Sequence, residues 1–171
     1  VLNIGVVGCA GRMGRALLSA VEDAPDSHIA GGTEVAGSGW LGRDIGEILG
    51  RAPLGLVISD DPEALFAASD AVVEFSMPQA VADHAAIAAK SSKAWVLGTT
   101  GTDAAADEAV AAAAKKTAVV RAANMSVGVN LLVGLVGQAA AALDIEFDAE
   151  ILEFHHKHKV DAPSGTALAL G

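Results

Sequence analysis

Leu2-Asn-Ile-Gly-Val-Val-Gly8-Cys-Ala-Gly11-Arg-Met-Gly14-Arg-Ala-Leu-Leu-Ser-Ala-Val-Glu22 decides how this chain is built. A short β-rich apolar run ends at Gly8, glycines follow at positions 8, 11 and 14, and Arg15–Glu22 has helical periodicity. Strand, glycine turn and helix come in the order that a dinucleotide-binding unit requires. Glycines permit the tight turn and let the backbone approach a pyrophosphate, whose charge then sits at a helix N-terminus. The loop residues Gly8, Cys9, Ala10, Gly11, Arg12 and Met13 are therefore candidate cofactor contacts. The spacing is G-x-x-G-x-x-G, with Ala10 where the commonest fingerprint has its middle glycine, so a glycine turn without a ligand is the competing reading.

A dinucleotide site also needs an acidic residue at the end of the second strand, about twenty residues past the loop, to hydrogen-bond a ribose hydroxyl. Glu34, after His28-Ile-Ala-Gly-Gly-Thr33, meets that need, and the next residue is Val35 rather than a cation. A carboxylate with no adjacent cation repels a ribose phosphate, which favours NADH over NADPH. Arg12 or Arg43 folding over keeps NADPH use open. Beyond Glu34, apolar runs at Gly55–Ser59, Ala71–Phe75, Ala94–Gly98 and Ala118–Ala122 read as strands, with helices at Pro78–Lys90 and Asp103–Lys116 between the last three. That alternation predicts an α/β fold, a Rossmann-type doubly wound parallel sheet. Gly37–Leu54 reads as a loop with a short amphipathic piece near Asp44–Leu49. Ligands on such sheets lie beyond the carboxyl ends of the strands. Phe75-Ser76, Gly98-Thr99-Thr100-Gly101 and Ala122-Ala123-Asn124-Met125-Ser126 fall at such ends, though each also reads as an ordinary turn.

Residues 126–142 form an apolar, small-residue-rich helix that is expected to be buried between layers; seventeen residues with Asn130 and Gln138 argue against a membrane span. We place a domain boundary near Ser126, giving a dinucleotide domain over 1–125 and the start of a second, α+β domain over 126–171, opened by this helix and a strand at 147–154. With 171 residues and 52% hydrophobic content the chain can bury a core, and no secretory leader opens it, so it reads as a soluble cytoplasmic protein. The single cysteine, Cys9, excludes an internal disulfide and reads as a small packed residue rather than a nucleophile. A formal charge of −10 repels a phosphate backbone, so nucleic acid is not an expected partner.

The local exception to that charge is Glu153-Phe-His-His-Lys-His-Lys-Val-Asp-Ala-Pro-Ser-Gly-Thr-Ala167. Five cationic or ionisable basic side chains precede a helix start, with Ser164 as N-cap and the amides of Gly165 and Thr166 as first-turn donors. A strand over 149–156 would put His155, Lys157 and Lys159 on one face and His156 and His158 on the other. Such a place suits a small dianion. His156 and His158 also share the spacing of metal ligands, but no cysteine and few carboxylates stand near to complete a sphere, so no metal is expected.

Residues 153–167 resemble the signature Glu-x-His-His-x-x-Lys-x-Asp-Ala-Pro-Ser-Gly-Thr-Ala of the 4-hydroxy-tetrahydrodipicolinate (dihydrodipicolinate) reductase family and match it at every defined position. The resemblance implies a nicotinamide-dependent oxidoreductase of the diaminopimelate route to lysine, acting on a cyclic dicarboxylate and assembling as a homotetramer. It implies His155 as acid or base and Lys159 as proton donor and charge stabiliser. His156, Lys159, Gly165 and Thr166 would hold the substrate carboxylates, and Asp161 would orient Lys159 or cap the helix. It also implicates Gly98, Thr99 and Thr100, together with Ala122, Ala123, Asn124 and Met125, in cofactor binding. Family members continue well past the position of Gly171, so the chain reads as truncated, with an incomplete substrate domain. The competing class is a nucleotide-binding sensor that keeps the fold without turnover.

Overall fold

The computed structural model describes residues 1–143, 145–155, 157 and 162–171. These fall into two compact units, Val1–Arg121 and Ala122–Gly171. In the first unit, strands β1 (Leu2–Val7), β2 (Ser27–Thr33), β3 (Ala71–Glu74), β4 (Ala94–Leu97) and β5 (Val119–Arg121) pair in parallel in the order β2-β1-β3-β4-β5. Helices α1 (Arg12–Asp23), α2 (Ile45–Leu49), α3 (Pro62–Ala68), α4 (Val81–Ser91) and α5 (Ala104–Ala113) complete this unit. The parallel sheet and the βα alternation are those of the predicted doubly wound fold.

Side-chain alternation along β1 explains how the sheet is covered on both sides. Val6 joins Cys9, Leu18 of α1, Ile29 and Ile45 and Ile48 of α2 in one core cluster, whereas Val7 joins Phe66 of α3, Val81 of α4, Trp95 and Val110 of α5 in the other. Adjacent residues thus anchor opposite layers. A parallel strand with both faces buried needs such continuous apolar runs.

The structure corrects several sequence expectations. Gly55–Ser59 is not a strand of the sheet; it makes one parallel bridge, Thr33 to Ser59, and one antiparallel bridge, Asp44 to Val57. Its backbone bonds go elsewhere: Asp44 takes the amides of Leu54 and Gly55 at 2.8 Å each, and Ile45 N donates to Leu56 O. The segment still lies beside the end of β2, where Glu34 N donates to Ser59 O. Helix α3 is an addition to the expected elements, although Asp61-Pro62-Glu63 carries its start signal: Asp61 caps Ala64 N at 2.9 Å and Pro62 opens the first turn. The helix expected at Pro78–Lys90 begins as a 3-10 turn, Pro78–Ala80, before α4. Helix α5 starts on its predicted cap, with Asp103 accepting from Ala106 N, but ends at Ala113, so Lys115 and Lys116 lie in the following turn.

The second unit holds α6 (Val127–Ala142) and α7 (Gly165–Leu170). No residue of α6 is buried, and Val127, Leu131 and Leu135 are well exposed, against the expectation of a helix sandwiched between layers. The six-residue α7 is too short to cover sixteen residues that are apolar on most sides. Residues 147–155 are not a strand either, because no described segment of this unit offers an edge for them to pair with. The facial alternation proposed for His155 and Lys157 therefore does not arise. No helix among the described residues is long and apolar enough to cross a membrane.

Candidate functional site

The glycine loop folds tightly because each of its parts has a backbone partner. Gly8 takes φ +71°, and the amides of Gly8 and Cys9 both donate to Thr33 O at 2.9 and 3.1 Å, stitching the end of β1 to the end of β2. The third glycine is the most constrained. A Cβ on Gly14 would stand 2.1 Å from Gly8 O and 2.6 Å from Cys9 Cα, whereas one on Gly11 would meet Gly8 O at 3.2 Å. Gly14 therefore lets α1 close onto the loop. Helix α1 begins at Gly11 with no side-chain cap and no acid in its first turn, which leaves first-turn amides for an external anion. A cradle that a side chain would fill and an uncapped twelve-residue helix fit the pyrophosphate of a dinucleotide.

Cys9 is fully buried, as its packing role requires, and a Cβ on Gly32 would collide with its Sγ at 2.8 Å. Burial first, then the Glu34 carboxylate, pushes the thiol from an ordinary 9.0 up to about 12. The folded state keeps this proton where the unfolded chain has lost it. The thiol's share of stability is thus whole below pH 9.0 and is lost as pH rises toward about 12. Across that window wild type should lose up to about 1.4 kcal/mol per pH unit more than Cys9→Ala in urea unfolding; parallel pH curves would rule this out.

Glu34 sits where the second strand ends, and its Oε1 accepts the Ala10 amide at 2.7 Å. That amide is used within the protein, and among the described residues the second carboxylate oxygen has no hydrogen bond. Val35 is exposed. Of the two arginines considered for a ribose phosphate, Arg43 is held by Glu47 at 2.6 Å and stacked 4.3 Å over the Trp40 ring, while among the described residues no ion pair or hydrogen bond engages Arg12. Arg15 stacks on the same indole at 4.8 Å and donates to Ala10 O, bracing the loop from outside.

A cleft of about 210 Å³ opens at the carboxyl ends of β1, β2 and β3, lined by Val7, Glu34, Val35, Ser76, Met77 and His84 among others. This is the topological switch point, where the chain has run from β1 outward to β2 and returns on the other side as β3. Ser76 is placed by its neighbours: its amide donates to Thr99 Oγ1 at 2.9 Å, and its hydroxyl donates to Glu74. Glu74 is wholly buried and also receives Trp95 Nε1 at 3.0 Å and pairs with His84 Nδ1 at 2.8 Å. Sequence reasoning reached Ser76 and Thr99 but not Glu74, His84 or Trp95; the available signal was an acid at an inward position of an apolar strand. The Thr99 hydroxyl is engaged with the Ser76 backbone, Thr100 is exposed, and Gly98 is packed so closely on Phe75 that a Cβ would lie 2.1 Å from its ring.

In the second unit, Ser164 caps α7 by accepting from Ala167 N at 3.0 Å, as its place in the sequence predicts. The Glu153 carboxylate fixes this cap, taking the Ser164 amide at 2.9 Å and also the Ser164 hydroxyl. His155 Nδ1 lies 3.7 Å from the same carboxylate, so Glu153 joins the start of the signature to its end. Asn124 Nδ2 donates to Thr166 Oγ1 at 3.1 Å, and Ala123 Cβ would be 3.7 Å from a Cβ on Gly165. Two stretches assigned to different ligands, Ala122–Met125 and Gly165-Thr166, therefore touch. His156, Lys159 and Asp161 lie outside the described residues, as does His158. Among the described residues no cluster of histidine, cysteine and carboxylate could hold a metal ion.

A family model for the N-terminus of dihydrodipicolinate reductase matches residues 2–125, and one for its C-terminus matches residues 128–171. The 4-hydroxy-tetrahydrodipicolinate reductase of Halorhodospira halophila is 51% identical over 170 residues, covering 99% of this chain and 64% of the relative. That of Ruegeria pomeroyi is 48% identical over 169 residues, covering 99% of this chain and 63% of the relative. The chain thus spans about 64% of the length of the curated relatives it matches. Among solved structures, dipicolinate-bound dihydrodipicolinate reductase from Paenisporosarcina sp. TG-14 shares the fold, with a TM-score of 0.73 at 24% identity over 99% of this chain and 64% of that one. A probable dehydrogenase from Thermotoga maritima shares it less fully, with a TM-score of 0.59 at 20% identity over 82% of this chain and 41% of that one. Matched by both models and about half identical to these reductases, the chain belongs to the dihydrodipicolinate reductase family.

Proposed function

We propose that the full-length protein reduces 4-hydroxy-tetrahydrodipicolinate to tetrahydrodipicolinate in the diaminopimelate route to lysine. The observation that carries this reading is the intact signature at 153–167, in a chain that also keeps an uncapped helix behind a glycine cradle. A bound reduced nicotinamide dinucleotide would supply the hydride. The balance is then substrate, reduced dinucleotide and one proton in, with tetrahydrodipicolinate, oxidised dinucleotide and water out. The proton and the two carboxylates are left to the protein. His155 acts as acid or base and Lys159 as proton donor and stabiliser of developing charge. His156, Lys159 and the amides of Gly165 and Thr166 hold the carboxylates, with the Thr166 hydroxyl in support. Glu153 accepts the Ser164 amide and so joins the two ends of the signature, which supports a role for the stretch as one unit.

The dinucleotide is assigned to Gly8, Cys9, Ala10, Gly11, Arg12, Met13 and Glu34, then to Gly98, Thr99 and Thr100 and to Ala122 through Met125. Residues 1–125 form the dinucleotide domain and 126–171 begin the substrate and tetramerisation domain. NADH is the preferred form, because Glu34 next to Val35 opposes a ribose phosphate and Arg43 is held by Glu47 and Trp40. Arg12 is the route by which NADPH would be used. The protein is read as a cytoplasmic homotetramer without nucleic-acid or membrane partners.

The test is oxidation of NADH by the full-length protein with freshly generated 4-hydroxy-tetrahydrodipicolinate, with NADPH in parallel. Turnover with a higher kcat/KM for NADH is the expected result. Turnover favouring NADPH would overturn the cofactor preference alone, and dinucleotide binding without turnover would leave a sensor.

A further inference from the structure

Glu74 ends β3, is wholly buried, and directly precedes the loop that walls the cleft. Alternation sets it on the same face as Val72, within the core cluster formed with α4 and α5, where an aliphatic side chain would be expected. A carboxylate there is costly unless its oxygens are filled. They are: Ser76 and His84 share Oε1, and Trp95 takes Oε2. These partners come from the loop after β3, from α4 and from β4. Ser76 is held a second time through its backbone, by Thr99 at the tip of β4.

The sheet order says which part of a ligand these tips would meet. Glu34 and the start of α1 lie over β1 and β2, whereas β3 and β4 continue the sheet on the other side of β1. A dinucleotide crossing the switch point with its adenosine ribose on Glu34 must therefore carry its nicotinamide end toward β3 and β4. We propose that Glu74 is a positioning residue that, through Ser76 and the Ser76–Thr99 bond, sets the tips of β3 and β4 for the nicotinamide half of the dinucleotide. The inference rests on the dinucleotide reading above.

Glu74→Gln tests it with little change of volume. Trp95 Nε1 can only donate, so the amide oxygen turns to it and the amide NH2 faces Ser76 and His84, both of which can accept. The core stays satisfied, but the Ser76 hydroxyl loses its acceptor. Below the melting midpoints of all variants, the Kd of the full-length protein for NADH should rise about tenfold. The Kd for ADP, which lacks the nicotinamide and its ribose, should stay at the wild-type value. Ser76→Ala should reproduce the NADH loss, and the double variant should add nothing to it. Should Glu74→Gln unfold, Ser76→Ala with the same two ligands carries the test. Unchanged NADH affinity, equal weakening of both ligands, or additive losses would overturn the positioning role. Failure of the wild type to bind either ligand would instead remove the dinucleotide reading on which it stands.

Discussion

Alanine at His155 in the full-length protein is expected to lower kcat by about 10²- to 10⁴-fold, the range over which a positioned acid or base acts, while the Kd for NADH stays at the wild-type value. The separation follows from where the residues lie. The glycine loop, Glu34 and the strand tips that frame the cleft all belong to Val1–Arg121, whereas His155 belongs to Ala122–Gly171 and stands 3.7 Å from Glu153, which holds the cap of α7. Lys159→Ala should lose turnover on the same scale, with a raised substrate KM as well because the ammonium is also assigned to a carboxylate. Steady-state kinetics with separate dinucleotide titrations would check both. Wild-type kcat in His155→Ala would remove it from the chemistry, and a parallel loss of NADH affinity would mean that the exchange damages more than proton transfer.

The second large effect is expected from Gly14→Ala, a single methyl group. Its Cβ would be 2.1 Å from Gly8 O and within 2.7 Å of Cys9 backbone atoms, and these atoms are themselves held by the bonds of Gly8 and Cys9 to Thr33 O. Backbone fixed on both sides cannot yield as a flexible side-chain end would, so either α1 withdraws or the loop opens. Overpacking of this kind costs about 3 kcal/mol or more. Urea unfolding should show that loss, and NADH binding should fall with it because the loop would no longer shape the pyrophosphate seat. Gly11→Ala is the matched comparison, since its Cβ would meet Gly8 O at 3.2 Å and α1 keeps its start. Equal stability and affinity for the two variants would show that the close approach at Gly14 is not a constraint.

The legible parts of the sequence were those whose cause is local. Strand β1, the glycine turn and α1 follow from a β-rich run, three glycines and helical periodicity within twenty-one residues. The caps at Asp103 and Ser164 follow from side chains that reach an amide three residues on. Gly55–Ser59 misleads because its composition is that of a strand while the Asp44 carboxylate captures two of its neighbouring amides. The lysines at 115 and 116 look like the end of α5, yet the chain has already turned by Ala114. Helix α6 has the composition of a core helix, but composition states only that a helix needs cover and not what supplies it.

By itself, then, the sequence determined the parallel α/β architecture, the glycine cradle, the acid at the end of β2 and the reductase signature, because each is written in residue type and short spacing. Tertiary structure alone decided that Gly14 rather than Gly11 is the tightest glycine of the loop, that Arg43 is committed to Glu47 and Trp40, and that Glu74 gathers Ser76, His84 and Trp95 beneath the cleft. These depend on atoms brought together from separate elements, and no periodicity records which side chains will meet once the sheet has formed.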